Sequence, residues 1–331
     1  MNHQRIAIIG SGSWATALAK LLLNNAEHIN WFIRKEDDIA YFKEFGTNPR
    51  YLTSVEFRTS KINFFTSLDE CIHHSDFLIL AIPSAFLQQT FQHITPKQLE
   101  GKVCFSAIKG IVPQYNLIVG EYLHQHFQVP LHNIGVITGP CHAEEVALEK
   151  LSYLTIASIH ADNAAFISQS LNCRYLKSTV SDDIYGTEYS AVLKNVIAVA
   201  GGICHGLGYG DNFFAVLVSN AIQEIKRFVD TVHPIDRDIK ASAYLGDLLV
   251  TSYSHFSRNR LFGTMLGKGY TVKQAQLEMN MVAEGYYAVK CVYEINKKHK
   301  VHMPITECVY NIIYQGHDVR REVLKLTNLL S

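Results

Sequence analysis

The sequence predicts an α/β N-terminal domain, built on a doubly wound and mostly parallel sheet, followed by an all-α C-terminal domain. Three observations predict it. Short apolar or β-branched runs alternate with helix-length segments through the first half. Fully apolar runs such as Phe77–Ile82 fit strands covered on both faces. Near residue 183 the strand-like runs stop and long helical stretches take over. A chain of 331 residues suits two domains of ordinary size. The expected division is 1–183 and 184–331.

Arg5–Ile9 reads as the first strand. Thr16–Asn25 reads as the helix after it, with Ala17, Leu18, Leu21 and Leu22 on one face. Ile29–Ile33 is the next strand. Asp76–Ile82 is another, ending at Pro83, and Val103–Ala107, Ile134–Ile137, Leu154–Ala157 and Tyr175–Val180 continue the series. Helices are expected over 185–203, 212–229, 238–252, 271–279, 282–299 and 305–313. Glycine and proline punctuate them, as at Gly206, Pro234, Gly267 and Pro304. No strand is expected after Val180.

Charge and composition narrow the function classes. Thirty basic residues balance thirty acidic ones, so no nucleic-acid or membrane-surface partner is expected. No run approaches 18 uncharged apolar residues; the longest, Val196–Cys204, contains two glycines. The N-terminus (MNHQRIAIIGSGSW) lacks the features of a secretory signal. Seven scattered cysteines form no CxxC, which fits free thiols in a reducing, cytoplasmic setting. The 16 histidines group only at His73–His74 and at His124 and His126, neither with helix-face ligand spacing, so no metal site is expected.

Gly10-Ser-Gly12-Ser-Trp-Ala15 follows the first strand and opens a helix. In that context GxGxxA is the dinucleotide fingerprint of a Rossmann domain. Gly10 allows the tight turn and Gly12 lets the backbone approach a pyrophosphate. Ala15 permits close packing of helix on strand, and the helix N-terminus offers free N–H groups to phosphate. The second strand ends in Arg34-Lys35, where an NAD enzyme would carry a carboxylate for the ribose. An arginine there suits a 2′-phosphate, so NADPH is favoured over NADH. The alternative is a solvated loop arginine.

Three polar segments stand in otherwise apolar surroundings. Lys109 lies just past a buried strand, where an open α/β sheet has its ligand crevice. Lys194-Asn195 interrupts an apolar helical run. A desolvated lysine is costly, and its lowered pKa suits proton exchange near neutrality; the alternative is a lysine snorkelling from a helix face. Asp247 and Thr251 are four apart, on one helix face, and could hold Lys194. Ser257-Arg258-Asn259 follows, with Arg258 offering a planar fork to a phosphate. The glycines from Gly206 to Gly210 fit either close backbone approach or simple helix termination.

These segments together resemble the bacterial form of NAD(P)-dependent glycerol-3-phosphate dehydrogenase. The matching stretches include IIGSGSWATALA, AIKGI, ITGPCHAEEVA, EYSAVLKNVIAVAGG, LGDLLVTSYSHFSRNRLFG and VAEGYYAVK. The resemblance implies reduction of dihydroxyacetone phosphate to sn-glycerol 3-phosphate, reversibly, for glycerophospholipid synthesis. It implies that Ser13, Trp14, Arg34, Ala143, Arg258, Val282 and Glu284 contact the cofactor and that Lys109 reaches both cofactor and substrate. Gly139 and Cys141 would line the substrate pocket, and Ser257, Arg258 and Asn259 would hold the substrate, Arg258 at its phosphate. Lys194 would be the general acid/base, supported by Asp247 and Thr251. Homodimers are common among such enzymes, although no interface residue is visible in the sequence.

The chain departs from that family's pattern at Cys141, where serine or threonine is usual, and at Trp14-Ala15, where Tyr/Phe–Gly is more familiar. A thiol is a weaker donor than a hydroxyl. Two other readings are weighed against this one. A related dehydrogenase for a 3-hydroxy acid or ketopantoate would not need the Arg258–Asn259 pair. A nicotinamide-sensing binding module would have no use for a polar set buried at a cost.

Overall fold

The computed structural model describes residues 4–254, 257–279 and 283–331. The chain divides into two compact units. The first comprises residues up to Ile108 together with Val119–Ile184; the second comprises Lys109–Ile118 and Tyr185–Ser331. The division therefore differs from a single cut at 183/184, because residues 109–118 belong with the helical unit.

The described strands are, in chain order, β1 (Ile6–Ile9), β2 (Ile29–Phe32), β3 (Ile62–Phe65), β4 (Phe77–Leu80), β5 (Val103–Ser106), β6 (Ile111–Val112), β7 (Leu117–Ile118), β8 (Ile134–Thr138), β9 (Ser152–Ser158) and β10 (Leu176–Ser181). Eight of them form the sheet of the first unit, in the order β10-β9-β8-β5-β4-β1-β2-β3. Every residue of β1, β2, β4, β5 and β8 is buried; β1 and β4 are wholly apolar, whereas β2, β5 and β8 also bury the polar Asn30, Ser106 and Thr138. β1 pairs parallel to β2 through Ala7–Asn30 and to β4 through Ala7–Leu78.

The sheet is parallel except between β8 and β9, which run antiparallel with Val136 opposite Ala157. The connection over 139–151 carries only the short helix Ala143–Ala147 and does not make a helical crossover. β3 was not expected. Its sequence, INFF, is short, holds a polar residue, and is fully buried only at Ile62.

The first helix, α1 (Ser13–Leu22), packs Ala15, Ala17, Leu18, Leu21 and Leu22 into the first unit's core. A second, α2 (Glu36–Phe45), begins after Arg34-Lys35 and ends at Gly46, whose φ of +70° is left-handed.

The second unit is helical from residue 185 on, and β6 and β7 add an antiparallel hairpin to it. Over 184–331 the described residues form helices and no strand, as the sequence predicts, and the hairpin comes from the earlier segment 109–118. Its central helix, Ile184–Gly206, buries Val192, Leu193, Val196, Ile197, Val199 and Ala200, so it is apolar on nearly every side. The expected helix over 238–252 is instead a π-helical turn, Ser242–Gly246, running into the helix Asp247–Tyr253.

Two further helices, Arg258–Gly267 and Val319–Thr327, were not expected from sequence. The first carries two glycines, which lower intrinsic helix propensity. Those glycines have a packing role. A Cβ on Gly263 would meet the Val199 carbonyl oxygen at 2.1 Å, and one on Gly267 would meet that of Ile203 at 2.3 Å. Across the contact, a Cβ on Gly202 would meet the Arg260 carbonyl oxygen at 2.1 Å and one on Gly206 that of Thr264 at 2.4 Å. Glycines four apart on both helices let the two backbones touch, and this fixes the height of the helix whose first turn holds Arg258 and Asn259.

Candidate active site

In the first unit the glycine-rich loop leaves β1 and enters α1. Gly10 has φ +126°, and a Cβ there would meet the Ala81 carbonyl oxygen at 2.5 Å, so no other residue fits. Gly12 is different. A Cβ there would meet nothing within 4 Å, so the protein itself does not demand glycine. The open space in front of Gly12 and the free helix N-terminus behind it fit a pyrophosphate.

Ser13 is the first residue of α1, and Ala15 is fully buried. Trp14 is half-buried, and its buried indole N–H has no partner among the described residues. Arg34 is exposed just after β2.

The segment after β8 is also in the first unit. Gly139 has φ +130°, and a Cβ on it would meet the Tyr153 carbonyl oxygen at 2.8 Å. The Cys141 thiol donates to that same carbonyl at 3.1 Å, and the Cys141 N–H donates to the Gly139 carbonyl at 2.8 Å. The cysteine proton is therefore directed at the β9 backbone. Ala143 is buried at the start of the short helix that follows.

The second unit brings the other predicted polar residues together. Lys194 is 5% exposed and Asp247 is 1% exposed. The Lys194 ammonium donates to Asp247 Oδ1 at 2.6 Å and to Thr251 Oγ1 at 2.7 Å. Asp247 and Thr251 lie one turn apart on the same helix, as their spacing predicts. Lys109, from the segment before β6, donates to both carboxylate oxygens of Asp247, at 2.9 and 3.1 Å. One buried carboxylate thus serves two lysines.

The Asn195 side chain, next to Lys194, donates to the Lys109 carbonyl at 2.6 Å and ties that segment to the central helix. The Lys194–Asn195 pair is visible in the sequence, but nothing local gives Asn195 this task. Nor does any local pattern pair Lys109 with Asp247, 138 residues away.

The electrostatics follow from burial. Desolvation pushes the Lys194 pKa down; Asp247 raises it in part and Lys109 lowers it again, leaving it lowered to about 7. For Asp247, burial works to raise the pKa, but Lys109 and Lys194 outweigh it and hold the carboxyl below its ordinary range. Near neutral pH the arrangement is an ionised carboxylate beside a lysine poised between its two protonation states.

Ser257, Arg258 and Asn259 open the next helix. The Ser257 hydroxyl accepts from the Arg260 N–H at 3.2 Å and so caps that helix. Arg258 is exposed. Asn259 is buried, and its Oδ1 accepts from the Gly285 N–H at 2.9 Å. Gly285 in turn lies against the central helix, where a Cβ would meet the Asn195 carbonyl oxygen at 2.6 Å. Glu284 is the first residue of the helix Glu284–His299. Val282 lies outside the described residues.

A glycine-turn dinucleotide loop in one unit and a buried lysine–carboxylate cluster in a helical one define a nicotinamide-dependent dehydrogenase of the two-unit type. Residues 5–164 match the family model of the NAD-dependent glycerol-3-phosphate dehydrogenase N-terminus, and residues 183–324 match that of its C-terminus. The chain is 34% identical over 325 residues to a glycerol-3-phosphate dehydrogenase [NAD(P)+] of Chlorobium limicola, covering 97% of this chain and 96% of that one. It is 35% identical over 328 residues to a protein of the same name from Agathobacter rectalis, covering 97% and 95%. The crystal structure of glycerol-3-phosphate dehydrogenase from Coxiella burnetii superposes with a TM-score of 0.90 at 28% identity, covering 98% of both chains. The chain belongs to the NAD-dependent glycerol-3-phosphate dehydrogenase family.

Proposed function

We propose that this chain reduces dihydroxyacetone phosphate to sn-glycerol 3-phosphate with NADH or NADPH, reversibly, and so supplies glycerophospholipid synthesis. The observation that carries the reading is the buried Lys194–Asp247–Thr251 cluster, shared with Lys109, in a member of this family. The reduced nicotinamide, when bound, supplies hydride to C2 of the substrate. Lys194, as the ammonium, gives a proton to the C2 oxygen and stabilises its developing charge. In the reverse direction neutral Lys194 takes the hydroxyl proton. Asp247 and Thr251 fix the direction of the lysine's N–H bonds, and Asp247 offsets its charge.

Lys109 adds a second cation for an anionic substrate and for the cofactor. Arg258 takes the substrate phosphate, since an exposed guanidinium is free of the desolvation cost that Lys194 bears. Ser257 and Asn259 hold the substrate beside it, although Asn259 Oδ1 is already committed to Gly285. Gly139 and Cys141 contribute backbone groups to the substrate, because the thiol proton is directed at Tyr153. Gly10, Gly12, Ser13 and Trp14 take the dinucleotide, with Ala143, Arg258, Glu284 and Val282 completing its site. Arg34 favours NADPH.

No described helix is long and apolar enough to cross a membrane. The proposed setting is the cytoplasm, and the proposed assembly is a homodimer, which sedimentation of the purified protein checks. The direct test of function mixes protein, NADPH and dihydroxyacetone phosphate and follows the reduced-nicotinamide absorbance. Rapid oxidation, lost in Lys194→Ala and in Arg258→Ala, is the expected result. Protein that binds NADPH but oxidises it with neither substrate nor mutation having any effect would remove the proposed substrate.

A further inference from the structure

We infer that Asn48, acting with Trp31 and Thr16, is the positioning residue that aims the glycine-rich loop's backbone donors at the cofactor pyrophosphate; the inference rests on the dinucleotide reading of that loop. All of these residues lie in the first unit. Three consecutive carbonyls of the loop are held by side chains. The Gly10 carbonyl accepts from the Trp31 indole N–H at 2.6 Å. The Ser11 carbonyl accepts from the Asn48 amide at 3.0 Å. The Gly12 carbonyl accepts from the Thr16 hydroxyl at 2.9 Å, besides the Thr16 N–H.

The holders are themselves linked. The Asn48 amide also donates to Thr16 Oγ1 at 2.8 Å, and Asn48 Oδ1 accepts from the Arg50 and Tyr51 N–H groups at 2.9 and 3.1 Å. Both Asn48 amide hydrogens and its oxygen are thus used, at 2% exposure. Thr16 and Trp31 are fully buried. A fully satisfied buried network of this kind rigidifies what it touches.

The consequence comes from peptide geometry. Across a planar trans peptide the carbonyl and the following N–H point in opposite directions. With the carbonyls of Gly10, Ser11 and Gly12 turned inward to Trp31, Asn48 and Thr16, the N–H groups of Ser11, Gly12 and Ser13 turn outward. None of these three N–H groups donates to a described residue. A Cβ on Gly12 would likewise meet nothing within 4 Å, so the loop is open there. Successive unpartnered donors leading into a helix N-terminus suit a pyrophosphate. Only an amide of asparagine's length donates twice here while its oxygen holds the 50–51 turn.

The test measures dissociation constants, by titration calorimetry, for NADH, NADPH, ADP-ribose and adenosine 2′-monophosphate, which lacks the pyrophosphate. The variants are Asn48→Asp, which keeps the acceptor bonds and loses both donors, and Trp31→Phe, which keeps the aromatic packing and loses one neutral donor. Melting temperatures confirm that each is folded. Asn48→Asp is expected to weaken NADH, NADPH and ADP-ribose by a common factor of about ten, and Trp31→Phe by about three, as expected for one or two lost hydrogen bonds. Adenosine 2′-monophosphate should bind as in wild type. Equal weakening of all four ligands, or unchanged dinucleotide affinity in a folded variant, would overturn the inference. Wild-type protein that binds no dinucleotide would instead remove the underlying reading, and the inference with it.

Discussion

The glycine-rich loop of the first unit and the lysine cluster of the second hold charge by opposite means. The loop has no ionised group of its own; its donors are backbone N–H groups, made available where Gly10 lets the chain turn. The cluster is built from side-chain charges, two lysines on one buried carboxylate. A backbone site keeps its donors at every pH and is sensitive to geometry. A side-chain site is sensitive to protonation, because burial brings Lys194 to about 7. Binding a constant anion and transferring a proton, the tasks proposed for the two sites, are different, and each site has the construction that suits its proposed task.

The largest break in that comparison is Lys194→Ala. Turnover should fall by about 10²–10⁴, the range of a general acid/base, while NADPH affinity stays as in wild type. Steady-state kinetics beside cofactor titration reads both; a fall in affinity equal to the fall in turnover would erase the distinction. Asp247→Asn comes next. Removing the shared carboxylate leaves Lys109 and Lys194 without their common buried partner, so urea denaturation should show a loss of about 3–5 kcal/mol, the cost of breaking a buried pair. Because Asp247 raises the Lys194 pKa, the surviving activity should show its pH inflection shifted below that of wild type.

Gly263→Ala sharpens the comparison from the packing side. The new methyl would press on the Val199 carbonyl, and overpacking of this kind costs about 1–3 kcal/mol. The KM for dihydroxyacetone phosphate should rise, since the helix carrying Arg258 and Asn259 shifts, while the KM for NADPH stays put. The smallest effect is expected at Arg34→Asp. Exposed and outside any buried network, it should change the NADPH-to-NADH preference by about tenfold, through loss of one charged contact worth about 1–2 kcal/mol, with turnover unaltered. Michaelis constants for both cofactors check this, and an unchanged preference would make Arg34 a solvated surface residue.

The parts legible in the sequence were those where one residue type does one job in a uniform setting. IAII and FLIL announced β1 and β4 because both faces of those strands are buried. Gly10 and Gly12 stand at fingerprint spacing. Lys194 stood out as a charge within an apolar helix, and Asp247 and Thr251 paired through helix periodicity.

What stayed hidden depended on partners distant in sequence. Lys109 and Asp247 are 138 residues apart, and no local pattern links them. Asn48, next to a proline, reads as an ordinary loop residue until the fold brings it under Ser11. Gly267 reads as punctuation between helices, although its four-residue spacing from Gly263, repeated at Gly202 and Gly206, is a visible sign of two backbones in contact. The antiparallel β8–β9 pair hid because its two strands look alike whichever way they run.

The most direct test of the central claim, that Lys194 is the proton carrier tuned to neutrality by its burial, is kcat/KM against pH in both directions for wild type and Lys194→Ala. Reduction needs the ammonium, so it should be level at low pH and fall as pH rises through about 7; oxidation needs the neutral amine and should rise through the same point to a plateau. Both limbs should share one inflection, and that inflection should vanish from the residual activity of Lys194→Ala. An inflection that persists unmoved in the mutant would place the proton on another group and contradict the account.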